Sequence, residues 1–208
     1  MLQNQSALPT NFNTNKLCQQ YINVLYHNVP GHGVNIRQNK NKAEIYGEIL
    51  YQSIDTLLSQ ISLSTQDIFF DLGSGLGKAA IQVFLNSDVK EVCGIEIIPE
   101  LHQQSLIATE KVQQDLSDFY PNRQLTFLLG SFLEIPFTNA SVVLIGSPCF
   151  SQKILYPLGK IIDSIASIHT VLTLRPICTL ERLSFIKAVR VECSWDTALC
   201  YIYKRKRV

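Results

Sequence analysis

The sequence predicts an α/β protein: a mostly parallel sheet with helices on both faces, closed by an antiparallel pair of strands. Three observations carry this expectation. The run Ile68 to Gly77 reads as a buried strand that breaks into a glycine turn and opens an apolar helix. From residue 67 to 174, short apolar runs alternate with stretches of helical periodicity, the pattern of βα units. Past Arg175-Pro176 the alternation stops, and Phe185 to Ser194 and Ala198 to Tyr203 read as two strands around Trp195-Asp196.

Taken in order, residues 1–15 are polar and rich in Asn and Gln, and read as an arm. Lys16 to His27 carry Leu17, Tyr21, Val24 and Leu25 at helical spacing. Asn28 to Lys42, with Pro30, Gly31 and Gly33, read as a loop. A second helix is expected from about Gly47, with Ile49, Leu50, Ile54, Leu57, Leu58 and Ile61 on one face. A strand over 67–71, a helix over 77–86, a strand over 91–95 and a helix over 99–119 follow. Pro99 suits a first helical turn, where its missing N–H leaves no bond unmade. Strands over 124–129 and 142–146, a helix over 152–166 and a strand over 169–174 complete the alternation. A short helical stretch near 178–183 leads into the closing pair. No internal repeat interrupts the chain; residues 1–43 read as an arm, helix and loop, and 44–208 as one domain.

A chain of 208 residues can bury a sizeable core, and 46% hydrophobic with 17% charged residues is a globular, not a disordered, composition. Eighteen basic and 17 acidic residues leave a net charge of +1, so no global field draws nucleic acid. The basic cluster Lys204-Arg205-Lys206-Arg207 reads as a solubilising tail, with a phosphate contact or targeting signal as the alternative. Six scattered cysteines form no C-x-x-C pair and no metal-ligand spacing, and Cys93, Cys193 and Cys200 lie in apolar runs as small core residues. The N-terminus lacks the apolar segment of a signal peptide, and no run of 18 apolar residues suggests a membrane span. The expected address is cytoplasmic, with secretion as an effector, or nuclear action in a host, left open. The Asn- and Gln-rich composition and compact length suggest a bacterial, stand-alone enzyme.

In the strand–turn–helix, Gly73, Gly75 and Gly77 lack a Cβ, so a ligand can approach the backbone and positive φ is open. Asp71 stands at the strand's carboxyl end, the edge where open α/β sheets bind ligands. The next strand ends at Glu96, 25 residues after Asp71, where an acid can accept hydrogen bonds from both ribose hydroxyls. Together they describe a site for an adenosine-containing cofactor, and spacing separates the candidates. A phosphate-binding loop needs G-x-x-x-x-G-K-[ST], but here Leu72 replaces the first glycine and Ala79 the hydroxyl residue. A dinucleotide fold prefers G-x-G-x-x-G and would set Asp71 against a pyrophosphate that repels it. S-adenosylmethionine has no phosphate, and its sulfonium and ammonium cations favour an acid at that strand end. D-x-G-x-G-x-G with a second acid on the next strand therefore points to an S-adenosylmethionine-dependent methyltransferase. The βα units and terminal hairpin point to the seven-stranded, Rossmann-like class I form. A turn selected only for tight strand–helix packing is the plain alternative.

Glu44-Ile45-Tyr46-Gly47-Glu48, ending 23 residues before Asp71, the helix after it, and Phe70 to Lys78 closely resemble the DOT1-like methyltransferases. These are class I enzymes that methylate a lysine ε-amine, the best known acting on a lysine in the globular face of histone H3. The similarity runs loosely from about residue 40 to the end, including Val191 to Trp195 and the closing tyrosine strand. The resemblance implies that Tyr46, Gly47 and Glu48 cover the methionine end of the cofactor. It implies that Asp71, Gly73 and Gly75 line the methionine moiety, that Ser74, Gly77 and Lys78 complete the turn around it, and that Glu96 holds the ribose. Without it, Tyr46 and Glu48 suit a helix N-terminus, where an acid favours the macrodipole.

The chain departs from the family pattern at three points. Ile49 stands where animal members carry a hydroxyl residue. The family's Gly-Asp-Phe, whose acid binds the adenine amino group and whose ring stacks on the base, is Gly130-Ser131-Phe132. Phe132 keeps the ring, and Ser131 offers a weaker neutral acceptor. The family's Asn-Asn-Phe becomes Gly146-Ser147-Pro148-Cys149-Phe150. This is similar to the Asn/Asp/Ser-Pro-Pro-Tyr/Phe loop of amino-group methyltransferases, in which a backbone carbonyl and the polar side chain accept the amine's hydrogens. The plain alternative is a strand stop at Pro148 and a helix cap at Ser151.

A lysine with an ordinary pKa of about 10.4 is almost wholly protonated near neutral pH, so an apolar channel must favour its neutral form. Phe150, Trp195 and Tyr201 are candidates for the channel walls, with Ser147 and the Pro148 loop orienting the nitrogen. The leading expectation is a protein-lysine N-methyltransferase whose partner is a histone or non-histone protein, with no metal and no membrane. The substituted loop leaves open methylation of another amine, on RNA, DNA, glutamine or a small molecule. Ser131 and the loop also leave open a non-catalytic cofactor-binding protein, and a nicotinamide-dependent oxidoreductase is the remaining reading.

Overall fold

The structure, a computed structural model, describes residues 14–29 and 47–206. The expected arm before residue 14, most of the expected loop, and Tyr46 lie outside the described residues. Helices α1 (Thr14–Leu25) and α2 (Tyr51–Ser59) precede the sheet. Then come β1 (Ile68–Leu72), α3 (Lys78–Asn86), β2 (Glu91–Glu96), α4 (Pro99–Leu116), β3 (Gln124–Leu129) and β4 (Val142–Ile145). The chain ends with α5 (Gln152–Ser164), β5 (Thr170–Thr173), β6 (Leu183–Glu192) and β7 (Thr197–Arg205). The seven strands lie in the order β3-β2-β1-β4-β5-β7-β6; the first five are parallel, and β7 runs antiparallel to both neighbours. This is the expected α/β sheet with its closing hairpin.

Strands β1, β4 and β5 are covered on both faces, which is why they read as near-continuous apolar runs. One core cluster, with Ile54, Leu57, Ile81 and Leu101, lies on the face packed by α1 to α4. The other, with Phe70, Leu155, Leu158 and Ile162, lies under α5. Glycines admit rings between the layers: a Cβ on Gly77 would come within 2.6 Å of Phe127 Cζ, and one on Gly94 would also overlap the Phe127 ring.

Three expectations are corrected. Of the expected face of α1, Tyr21 and Leu25 pack half-buried against the core, whereas Leu17 and Val24 are exposed, Val24 at 75%; the buried positions are Ile22 and, just past the helix end, Tyr26. Helix α2 begins at Tyr51, not near Gly47; Ile49 instead forms an antiparallel bridge with Cys193, because residues 47–50 pair with the end of β6. Glu48 is therefore not a first-turn helix acid. No helix forms near 178–183, where a turn leads straight into β6. The basic end is tied into the fold: the Arg205 guanidinium donates to the Ile168 and Ile165 carbonyls, at 2.5 and 2.6 Å, past the end of α5.

At the sheet's amino edge, Asp67 gathers three strands. It accepts from the Ser64 N–H at 2.6 Å and from the Ser141 hydroxyl at 2.8 Å, and His169 Nε2 lies 2.8 Å from it. Burial alone would raise its pKa, but the hydrogen bonds from His169, Ser141 and Ser64 outweigh that and hold it below the ordinary value. Asp67→Ala is expected to lower unfolding free energy by about 2–3 kcal/mol in urea titrations, since it strands these donors, while leaving the opposite edge intact.

Candidate cofactor and acceptor site

Order reverses between β1 and β4, and along the carboxyl ends of β1, β2 and β4 opens a cavity of about 360 Å³. That is the position and size expected of a small-molecule site in an open α/β sheet.

Its donor end is built from the glycine turn. Gly73, Gly75 and Gly77 all have positive φ (83°, 55° and 83°), which lets the chain double back over the strand ends. The Gly73 and Ser74 N–H groups donate to the Ile95 carbonyl at 2.8 and 3.1 Å. Glu96, 5% exposed, accepts from the Gly75 N–H at 2.7 Å and the Ile98 N–H at 2.9 Å, leaving further lone pairs on both oxygens. Burial raises the pKa of Glu96, against the lowering pull of those backbone bonds. Asp71, 3% exposed, lines the same cavity; burial first, and the Glu96 charge second, push it up to about 7. The Ser74 hydroxyl is buried without a hydrogen-bond partner.

Residues 47–50 form the roof over this end. The Glu48 N–H donates to Ser194 Oγ at 3.0 Å, and the Ser194 N–H donates to the Glu48 carbonyl at 2.8 Å. Gly47 is required: a Cβ there would run into the Trp195 ring. The Glu48 carboxylate holds Lys78 through both oxygens, at 2.7 and 3.0 Å, and Lys78 Nζ stands 5.0 Å from the centre of the Tyr26 ring. Lys78, at the start of α3, thus has its charge answered by Glu48 within the described structure.

The acceptor end is the loop after β4. Ser147 Oγ accepts the Cys149 N–H at 3.2 Å, and Phe150, 7% exposed, sits where a Gly73 side chain would be, its Cζ 2.9 Å from that position. The Phe150 and Phe132 rings meet edge to face at 5.2 Å. Ser131 accepts the Leu133 N–H at 3.2 Å and so caps its own turn while facing the cavity.

The cavity therefore brings together Gly47, Glu48, Asp71, Gly73, Ser74, Gly75, Lys78 and Glu96 with Ser131, Phe132, Ser147, Pro148, Phe150 and Trp195. Two expected residues stand apart. Gly77 is a packing glycine against Phe127 and Ser105, not a cavity wall. Tyr201 pairs with Thr173 on β5 and packs 6.2 Å from Phe185, outside the cavity, because the hairpin's alternation turns it to the other side. Sequence reading missed Ile97, Leu133 and Cys149 as walls, although each adjoins a residue it named, and Ile49, which it placed on a helix. The donor set suits S-adenosylmethionine: two buried acids for cationic and hydroxyl groups, exposed turn backbone, and rings and aliphatic walls for a base.

The fold and this cavity define a class I methyltransferase. Solved structures of similar fold include a candidate RNA methyltransferase from Pyrococcus horikoshii, with TM-score 0.56, 14% identity, and coverage of 91% of this chain and 98% of that one. Another is M. capricolum TrmK in complex with S-adenosylhomocysteine, with TM-score 0.56, 12% identity, and coverage of 76% and 70%. The family described as "Histone methylation protein DOT1" matches residues 32–194, and the chain belongs to that family. Among curated relatives, a histone-lysine N-methyltransferase, H3 lysine-79 specific, from Debaryomyces hansenii is 26% identical over 140 residues, covering 64% of this chain and 12% of that protein. The protein of the same name from Drosophila melanogaster is 38% identical over 53 residues, covering 26% and 3%. The chain thus spans a small part of the length of these relatives.

A carboxyl whose folded pKa is raised holds its proton longer in the folded than in the unfolded chain, so stability falls as pH climbs between the two values. For Asp71 that window runs from the ordinary value near 4 to about 7. Urea unfolding of the ligand-free protein should show stability declining from about pH 4 to 7, and Asp71→Asn should remove roughly 3 kcal/mol of that decline.

Proposed function

We propose that the chain is an S-adenosylmethionine-dependent N-methyltransferase that acts on a lysine of a protein substrate. The observation that carries this is one continuous cavity, with buried acids and a glycine turn at one end and the Ser147–Phe150 loop at the other. Family membership supports methyl transfer, and the H3 lysine-79 specificity named for the curated relatives supports a protein lysine as the acceptor. When bound, S-adenosylmethionine supplies a methyl group on a positively charged sulfur, which keeps the bonding electron pair when the methyl leaves. A neutral acceptor nitrogen held in line with that methyl would supply the lone pair for the new bond and would afterwards lose a proton to water. Asp71 and Glu96 anchor the cationic and hydroxyl groups of the donor, and the turn backbone fixes its depth. Phe150, Trp195, Cys149 and Ile49 desolvate the approaching amine, and alignment supplies much of the acceleration.

A second reading, methylation of another amine, such as one on RNA, is favoured by the Ser147-Pro148-Cys149-Phe150 loop. The net charge of +1 weighs against it. Incubation with methyl-labelled S-adenosylmethionine and, in parallel, nucleosomes, whole-cell protein and RNA separates the two by where the label appears. Asp71→Ala and Glu96→Ala should each weaken cofactor binding more than about 100-fold in calorimetry, as loss of a charge-assisted contact does. Ser147→Ala and Phe150→Ala should instead lower turnover at least about tenfold with cofactor affinity largely kept.

A further inference from the structure

The acceptor loop has a cation beside it. Arg175, two residues past β5, directs an Nη1–H to the Pro148 carbonyl oxygen at 3.4 Å. Its backbone is fixed for this reach. The buried Thr173 hydroxyl donates to the Arg175 carbonyl at 2.9 Å and accepts from the Arg175 N–H at 3.3 Å. Ile145 lies opposite Thr173 in the β4–β5 register, so the two loops leave the sheet side by side. Arg175 forms no ion pair among the described residues, so no described carboxylate answers its charge.

The loop's acceptors are thus partly taken by the protein: one lone pair of the Pro148 carbonyl by Arg175, and one of Ser147 Oγ by the Cys149 N–H. An ammonium group must place three N–H donors, whereas a neutral amine needs fewer acceptors and offers a lone pair. A positive charge beside the binding loop further disfavours a positively charged guest. The other ionisable groups facing the cavity are Asp71 on β1, Glu96 on β2, Lys78 on α3, Glu48 in the roof and Cys149 in the loop. Glu48 and Lys78 answer each other, and the two strand-end acids sit under the glycine turn.

We infer that Arg175 is a positioning residue that selects the neutral form of the acceptor amine, its charge acting on the loop through the Pro148 carbonyl. This rests on the amine-methylation reading above and gives that reading a means of deprotonation without a dedicated base.

The test uses n-butylamine as a lysine side-chain probe, titrated into the protein saturated with S-adenosylhomocysteine. It is followed by the fluorescence of Trp195, the one tryptophan of the chain and a wall of the cavity. Three proteins are compared: wild type, Arg175→Gln, which keeps a donor but no charge, and Arg175→Lys, which keeps the charge. Wild-type affinity for total amine should rise more than about tenfold from about pH 7.5 to 10, following the neutral fraction. Arg175→Gln should reduce that rise at least about threefold, the desolvating walls keeping the remainder, and Arg175→Lys should restore it. The remaining ionisable groups are the same in all three and cancel in the comparison. The same pH dependence in wild type and Arg175→Gln, or no amine binding by wild type at either pH, overturns the inference while leaving the methyltransferase reading standing. Failure of the wild-type protein to bind S-adenosylhomocysteine in calorimetry overturns both.

Discussion

Much of the site's geometry follows from the hydrogen bond that the Gly75 N–H gives to Glu96. Two carboxylates buried at neighbouring strand ends are costly, since each loses water and the Glu96 charge bears on Asp71. Glu96 tolerates burial because backbone N–H groups point at it, and one of them can arrive only if the turn after β1 passes close by. That path needs positive φ at Gly73, Gly75 and Gly77. Once the path is set, the missing side chains leave hollows that aromatic rings fill, Phe150 against Gly73 and Phe127 against Gly77 and Gly94. The turn thereby seats the acceptor loop on one side and β3 on the other. A substitution at Gly73 would disturb donor and acceptor ends together.

The roof obeys a second constraint, which joins parts of the chain far apart in sequence. Residues 47–50 pair with the end of β6, with bonds in both directions between Glu48 and Ser194, one from the Leu50 N–H to Glu192, and Trp195 packed where a Gly47 side chain would be. The Glu48 carboxylate then reaches down to Lys78 on the helix that follows the glycine turn. One residue so couples the hairpin tip, through its backbone, to the glycine turn, through its side chain. The Lys78–Glu48 pair is mostly shielded from water, so the cost of desolvating both charges offsets much of their attraction; its larger effect is to fix where the roof sits.

How much of this was legible in the sequence depended on whether the signal was local. Asp71, the three glycines and Glu96 could be read because a strand, its turn and the next strand end form one short unit with fixed spacing. The order of βα units and the closing pair was legible for the same reason, since apolar runs and periodicity are local properties. The start of α2 was not, because Ile49 and Leu50 fit a helical face as well as they fit a strand; pairing with Cys193 and Glu192 decided it. Tyr201 was misplaced because hairpin alternation settles which face a residue takes only once register with β5 is known. In α1, Val24 and Leu17 have the spacing of a buried face, yet Ile22 and, just past the helix end, Tyr26 are the residues that enter the core. Arg175 marked the end of the βα alternation but carried no signal of a place at the site; its position beside Pro148 exists only because β4 and β5 are neighbours.

The two ends of the cavity differ in what determines them. At the donor end, the groups that matter are backbone amides and acids fixed by strand ends, so the cofactor chemistry changes only if the turn itself changes. At the acceptor end, a five-residue loop after β4 carries the polar atoms, and its neighbours are rings, aliphatic side chains and Arg175. Replacing Asn-Asn-Phe with Ser-Pro-Cys-Phe leaves the aromatic wall in place and removes side-chain amides. The remaining acceptors are then partly taken by the protein's own donors. Such a loop binds an incoming amine through desolvation and shape more than through charge, which accords with a surface of nearly balanced sign. In the function proposed above, the glycine turn thus dictates that a methyl group is transferred, and the loop with Arg175 dictates which form of the amine receives it.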